Sequence, residues 1–298
     1  MRTAVRVVTS VAGAPRLGTD ALLAVVRLAV QCDAAGVDAV FVGPDIGVDP
    51  YVLLGGVAAA TSTVVLGCLA APVRERPPAL LAKQVTTLDV CSGGRAVLGM
   101  AAGGGAQGLA AVESEAELGD AVEICRAMLR VPGPSYSGVR HAISSAWNEP
   151  RHAGGEPMPL VIVVDRPGAP PLFDGQQDRS PIALAARFAE MCAVGPLDVD
   201  RFDTGRCLSP AARNRRGLGR AESLLASTRH ELDALSLEAG RVRGSVRLLA
   251  LLAAGRAEDQ LAAASAARSA GADAVVADIE VGRLTSGATH LVSGLARL

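Results

Sequence analysis

The chain has 298 residues, 29 Lys+Arg against 30 Asp+Glu, and a formal net charge of -1. That length suits one α/β barrel or two smaller domains, and the near-neutral balance argues against a nucleic-acid surface or a polybasic membrane patch. Half of the residues are apolar yet only 2% are aromatic, so the core has to be built from Ala, Val and Leu, with few rings on which to stack a ligand.

The opening MRTAVRVVTS reads as a strand and lacks the long apolar core and cleavage site of an export signal. A first strand is expected over Ala4–Thr9, then a helix from Thr19 to Ala35 that Gly36 ends, and a second strand over Asp38–Gly43. Asp49-Pro50 opens a helix to about Ala60, and Val64–Ala71 is the third strand. Tyr51–Val73 carries no charge and is long enough to raise the question of a membrane span. Thr61-Ser62-Thr63 and the glycines divide it, and a cytoplasmic protein is expected.

Pro77-Pro78 suits a helix start, where a missing N–H is no loss. Ala79–Val90 carries apolar residues at helical spacing, Ser92-Gly93-Gly94 stops the helix, and Arg95–Met100 is a fourth strand. Glu113–Arg130 is an amphipathic helix with acids early and arginines late, as the helix dipole favours. Val131–Pro159 breaks the rhythm with Pro, Gly, Ser and His, and reads as a lid or a surface excursion. Leu160–Val164 is the fifth strand, Pro181–Glu190 a helix and Met191–Gly195 the sixth strand. Leu197–Arg216 is a second irregular, charge-dense stretch. A helix over Arg220–Ala239, a seventh strand within Val242–Ala253 and a helix over Ala257–Ala270 follow. An eighth strand over Asp273–Ile279 and a helix over Ser286–Arg297 close the chain.

Strict alternation of strand and helix implies parallel strands with right-handed crossovers. At this length the natural closure is a (β/α)8 TIM barrel spanning residues 1–298, with irregular insertions near 131–159 and 197–216; a doubly wound open sheet is the other solution. The six cysteines (Cys32, Cys68, Cys91, Cys125, Cys192, Cys207) form no C-x-x-C pair and read as free thiols of a reducing compartment. The four histidines are dispersed and show no metal-ligand spacing.

Arg76, Pro78, Ala82, Lys83, Leu88, Asp89, Ser92, Gly94, Arg95, Leu98 and Gly99 fit one fixed-spacing pattern, R-x-P-x-x-x-A-K-x-x-x-x-L-D-x-x-S-x-G-R-x-x-L-G. This pattern resembles that of the luciferase-like monooxygenases, a family of flavin- and coenzyme F420-dependent oxidoreductases. Asp33–Gly43, with its A-G-V-D-A-V core, and Asp49-Pro50 with Leu53-Leu54 are also similar to stretches of that family. The resemblance covers nearly the whole chain and weakens after about residue 150.

Barrels of this kind carry their active sites at the C-terminal ends of the strands. The resemblance implies a coenzyme F420 or FMN ring in the barrel mouth, against a bulge at Cys68-Leu69-Ala70 that often holds a non-proline cis peptide. It further implies Gly103 and Gln107 beside the ring, Asp165 and Arg166 near its phosphate, and Asp45 as the catalytic acid. A small organic substrate is implied, and a homodimer is common among look-alikes. The chain also departs from the family. Ile46 stands where a histidine is common, Ala101-Ala102-Gly103-Gly104 lacks a tryptophan, and Val163-Val164-Asp165 replaces a Gly-Gly. These departures keep a second expectation open, a cofactor-free relative that acts as a binding or dimerisation partner.

Overall fold

The structure is a computed structural model that describes residues 2–8, 19–44, 48–74, 76–102, 111–150, 157–164, 180–197, 210–280 and 288–298. In chain order it contains β1 (Thr3–Val8), α1 (Thr19–Ala35), β2 (Ala39–Val42), α2 (Pro50–Ala60), β3 (Val65–Cys68), β4 (Ala71–Pro72), α3 (Pro78–Ser92) and β5 (Leu98–Ala101). There follow α4 (Ala111–Arg130), β6 (Tyr136–Ser137), β7 (Ala142–Ile143), β8 (Leu160–Val164), α5 (Pro181–Phe188) and β9 (Met191–Leu197). The last elements are α6 (Pro210–Glu238), β10 (Arg247–Leu252), α7 (Ala257–Ser269), β11 (Ala274–Glu280) and α8 (Ala288–Leu295).

One sheet runs β3-β2-β1-β11-β10-β9-β8-β5-β4, with every neighbour parallel. β3 and β4 are two halves of the third strand, broken at Leu69-Ala70. A parallel bridge between Leu66 and Ala96 brings the two ends of the sheet together. The molecule is therefore a nearly closed barrel of eight parallel strands ringed by helices, as the alternation predicts.

The strand period of two splits each strand between two cores. One side faces the helices and holds Val5, Val7, Val40, Val42, Leu66, Cys68, Met100 and Ile162. The other fills the barrel with Ala4, Ala39, Phe41, Leu69, Ala70, Val97, Ala101, Val161, Val163, Met191, Leu249, Leu251 and Val276. Few aromatics are needed because this interior is narrow. Gly67 leaves room for the Phe41 ring, since a Cβ there would lie 3.4 Å from the ring carbons and 2.6 Å from the Val97 carbonyl oxygen.

Most helix boundaries follow the local signals. Asp49 caps α2, its side chain accepting from the amides of Tyr51 and Val52. Gly93, at φ 73°, ends α3 in the left-handed region. The segment Ser92-Gly93-Gly94-Arg95 turns the Arg95 guanidinium back as a clamp. It donates to the carbonyls of Ser92, Val64, Ala58 and Thr61 and to the Thr61 hydroxyl. Asp89 is fully buried, and its carboxylate accepts from the Ala96 amide. Much of the recognisable sequence pattern is thus a device that ties α2, α3 and the starts of β3 and β5 together at the N-terminal end of the barrel.

Four expectations need correction. Residues 210–216 are helical rather than irregular, because α6 begins at Pro210, a position where proline loses no hydrogen bond. The sixth strand runs past Gly195 to Leu197. That glycine adopts φ 128°, and the register against β10 slips between Ala250 and Leu252, so the strand bulges instead of stopping. The fourth strand begins at Leu98 rather than Arg95 and runs to Ala101, with Ala96 making only an isolated bridge to Leu66. Finally, the stretch after α4 contains a short antiparallel hairpin, β6–β7, packed on the outside of α4. Asp120 of α4 organises it by accepting from the Tyr136 hydroxyl and from the amides of Arg140 and His141. Gly138 lies so close to that carboxylate that a Cβ would sit 2.3 Å from it. Through residue 150 this segment is a surface excursion on α4 and α3, fastened by buried Asn148, which donates to Thr86 and to the Met128 carbonyl.

Candidate active site in the barrel mouth

Within the largely apolar barrel interior, β1, β11 and the arch after β3 bring together a polar cluster of Arg6, Asp278 and the Leu69 carbonyl. β1 reads Ala-Val-Arg-Val, and its alternation that sends Val5 and Val7 to the helices sends Ala4 and Arg6 inward. β11 reads Ala-Val-Val-Ala-Asp, which places Asp278 inward in the same way. The two residues are register partners on adjacent strands. Arg6 grips Asp278 with both arms, Nε to Oδ1 at 2.8 Å and Nη2 to Oδ2 at 2.7 Å. Its third nitrogen, Nη1, donates to the carbonyl of Leu69 at 3.1 Å. The side chains are only 12% and 6% exposed, so a planar, two-point ion pair is what makes burying them tolerable.

Leu69-Ala70 forms an arch between the two halves of the third strand. The Leu69–Ala70 peptide is cis. The Leu69 amide donates to the Val42 carbonyl, and Val73 donates to the Ala101 carbonyl, so both ends of the arch are anchored to neighbouring strands. Leu69 and Ala70 both face the barrel interior. The Ala70 amide and carbonyl make no hydrogen bond among the described residues. Gly99 permits the arch, since a Cβ there would lie 2.3 Å from the Cys68 carbonyl oxygen. Leu69, Ala70, Ala101 and Val163 therefore present a small, mostly apolar floor with a polar backbone edge.

Ion pairs shape the rim outside this floor. Arg76 bridges Asp49 at 3.2 Å and Gln84 at 3.1 Å, and lies 5.6 Å from the centre of the Tyr51 ring. Burial pushes the Tyr51 hydroxyl well above its ordinary pKa, so it stays protonated. Arg74 and Arg140 both meet Glu117 of α4, at 3.2 and 3.5 Å.

The residues expected from sequence fall into three groups. Leu69 and Ala70 lie in the mouth. Cys68 does not: its side chain is fully buried on the helix-facing side, and only its carbonyl turns towards Gly99. Asp45, Gly103, Gln107, Asp165 and Arg166 lie outside the described residues. Val163 faces inward, but Val164 faces the helices. Arg6 escaped the sequence reading. A lone arginine in an apolar strand, at an inward register position, was the available signal, and Asp278 in β11 is its counterpart.

Among the described residues no group of His, Cys, Asp and Glu is placed to hold a metal ion, and no helix is long and apolar enough to cross a membrane. At the level of sequence no curated protein matches the chain. The family model for luciferase-like monooxygenases, however, matches residues 1–274.

The chain belongs to the luciferase-like monooxygenase family.

Solved structures agree in fold. Monooxygenase RslO1 from Streptomyces bottropensis is similar with a TM-score of 0.69 and 15% identity, over 100% of this chain and 98% of that one. The coenzyme F420-dependent tetrahydromethanopterin reductase of Methanopyrus kandleri gives a TM-score of 0.70 and 13% identity, over 99% and 97%. The FMN-bound oxygenating constituent of 3,6-diketocamphane monooxygenase from Pseudomonas putida gives 0.59 and 14%, over 88% and 70%. At these identities the likeness speaks for the barrel. The architecture seen here is thus shared by a coenzyme F420-dependent reductase and by a monooxygenase component solved with FMN.

Proposed function

We propose that this luciferase-like protein is a flavin-type oxidoreductase that binds coenzyme F420, or else FMN, in the barrel mouth and acts on a small, largely apolar organic molecule. The observation that carries the reading is the Leu69-Ala70 arch. It faces the interior of the barrel at the end where barrel enzymes bind their ligands, and its Ala70 amide and carbonyl lack partners among the described residues. An unpartnered backbone edge over an apolar floor matches the chemistry of a flat heterocycle with a polar rim.

When bound, the ring would supply hydride transfer, or oxygen insertion with FMN. The protein's own part is binding and orientation. Leu69 and Ala70 would meet the ring edge, with Ala101 and Val163 beneath it excluding water. Gly103 and Gln107 would flank it, Arg166 beside Asp165 would meet the phosphate end, and Asp45 would serve as the acid. We expect a cytoplasmic protein without a nucleic-acid or membrane partner, and a homodimer is the assembly that its resemblance to the family suggests.

Titration of the purified protein with F420 and with FMN, followed by absorbance and fluorescence, tests the reading. A saturable spectral change with one of them is expected, and the tighter ligand identifies the cofactor. Absence of binding of either at millimolar concentration would remove the oxidoreductase reading in favour of the cofactor-free relative.

A further inference from the structure

The Arg6–Asp278 pair does more than join two strands. β1 and β11 are already held by a parallel ladder from Thr3↔Val275 to Val8↔Glu280. The barrel interior that holds the pair is built largely of apolar side chains such as Phe41, the register partner of Arg6, and Val276, and there an ion pair adds little stability over apolar side chains of similar volume. What an apolar pair would not supply is the third contact. Arg6 reaches past β2 and donates to the Leu69 carbonyl, 63 residues away in sequence and on the far side of β2. Asp278 takes the two nitrogens that leave Nη1 aimed at that carbonyl. The guanidinium is planar, so fixing two of its nitrogens fixes the direction of the third.

We infer that Arg6, oriented by Asp278, is a positioning residue that fixes the Leu69 carbonyl and with it the arch against which the ring rests. The inference rests on the proposed cofactor site, since the arch matters to function only if a ligand meets it. It assigns the arginine no contact with the reacting atoms. Its effect is on affinity and orientation, through the backbone of residues 69 and 70. It also gives the carboxylate of Asp278 a role distinct from acid–base chemistry, because its oxygens are engaged by Arg6.

The test uses the full chain with Arg6→Met and Asp278→Leu combined, so that neither charge is left buried alone. Hydrogen exchange is followed in the ligand-free protein at the Leu69 and Val73 amides, which flank the arch, with the Leu249 and Leu251 amides of β10 as reference. Positioning predicts exchange faster by about tenfold or more at Leu69 and Val73, with β10 unchanged. It also predicts binding of the wild type's preferred cofactor weakened by about tenfold. Arg6→Lys, which keeps the charge but not the planar fork, should fall between the two. Unchanged exchange at Leu69 and Val73, or an equal rise in β10, overturns the inference whether or not a cofactor binds. Failure of the wild type to bind either cofactor overturns the proposed function instead, and the exchange measurement still decides whether Arg6 holds the arch.

Discussion

Gly99 and Cys68 approach so closely that a Cβ on the glycine would stand 2.3 Å from the cysteine's carbonyl oxygen and 3.2 Å from a methyl of Leu69. The obstacle is backbone, which cannot rotate away. Gly99→Ala should therefore push the arch outward and cost about 1–3 kcal/mol, as overpacking a dense core does. Urea denaturation gives the loss. Gly36→Ala is the comparison, since its Cβ would meet nothing within 4 Å but its φ of 81° strains the substitution on its own account. Equal stability of wild type and Gly99→Ala would mean that the two strands have room to separate.

The Arg95 clamp gives the second prediction. One side chain satisfies carbonyls at the ends of α2 and α3 and at the entry to β3. Arg95→Met should leave these partly buried acceptors without donors and destabilise the protein by about 2–4 kcal/mol. Arg95→Lys should recover only a fraction, because an ammonium cannot span the same acceptors. Thermal unfolding of the three proteins distinguishes these outcomes. Recovery of full stability by lysine would show that charge, not the fork, matters.

Acid should unfold the protein by way of a few carboxylates. Burial opposes ionisation of Asp33, but the Thr63 hydroxyl and the amides of Ser62, Thr63 and Val64 outweigh it and hold the pKa at about 2, against an ordinary 3.8. The pKa values of Asp38 and Asp120 are lowered in the same sense, by backbone donors that overcome desolvation. A folded-state pKa below the unfolded one gives stability that is present above the unfolded value and lost as pH falls through the folded value. Stability should hold from neutral pH to about 4 and decline between there and pH 2. Asp33→Asn should flatten that decline, measured as the urea midpoint against pH. An identical profile for wild type and variant would show that Asp33 takes no part.

Cysteine reactivity offers the fourth. Burial pushes the thiols of Cys32, Cys125 and Cys192 up to about 12, and Cys68 is fully buried, whereas Cys91 is exposed on α3. In a Cys207→Ser background, an aromatic disulfide reagent should modify one thiol of the native protein at once and the other four only on unfolding. Cys91→Ser should abolish the fast phase. Fast labelling of a second thiol would mean that the helix-facing core opens readily.

The architecture could be read from the chain because its signals are local. The 3.6 and 2.0 periods, the Asp49 cap and the Gly93 stop each act within a few residues. Two of the boundaries that the sequence misplaces have an equally local cause. Gly195 looks like a strand end but is a bulge, and a charge-dense run around Arg213–Arg216 looks like a loop but continues a helix that starts at Pro210. The candidate site was less legible. A motif placed Cys68, Leu69 and Ala70 together, yet the pleat sends Cys68 to one side of the barrel wall and Leu69 to the other.

Sequence alone determined the alternation of strands and helices and, through one fixed-spacing motif, the family, because periodicity, caps and turn residues need no distant partner; the choice of a barrel over an open sheet rests on the Leu66–Ala96 bridge between the ends of the sheet. Only the tertiary structure decided that Arg6 meets Asp278 across 272 positions and reaches Leu69 across 63. Those encounters depend on strand register and inward direction around a closed ring. A shift of one residue in either strand would reverse them while leaving every local signal intact.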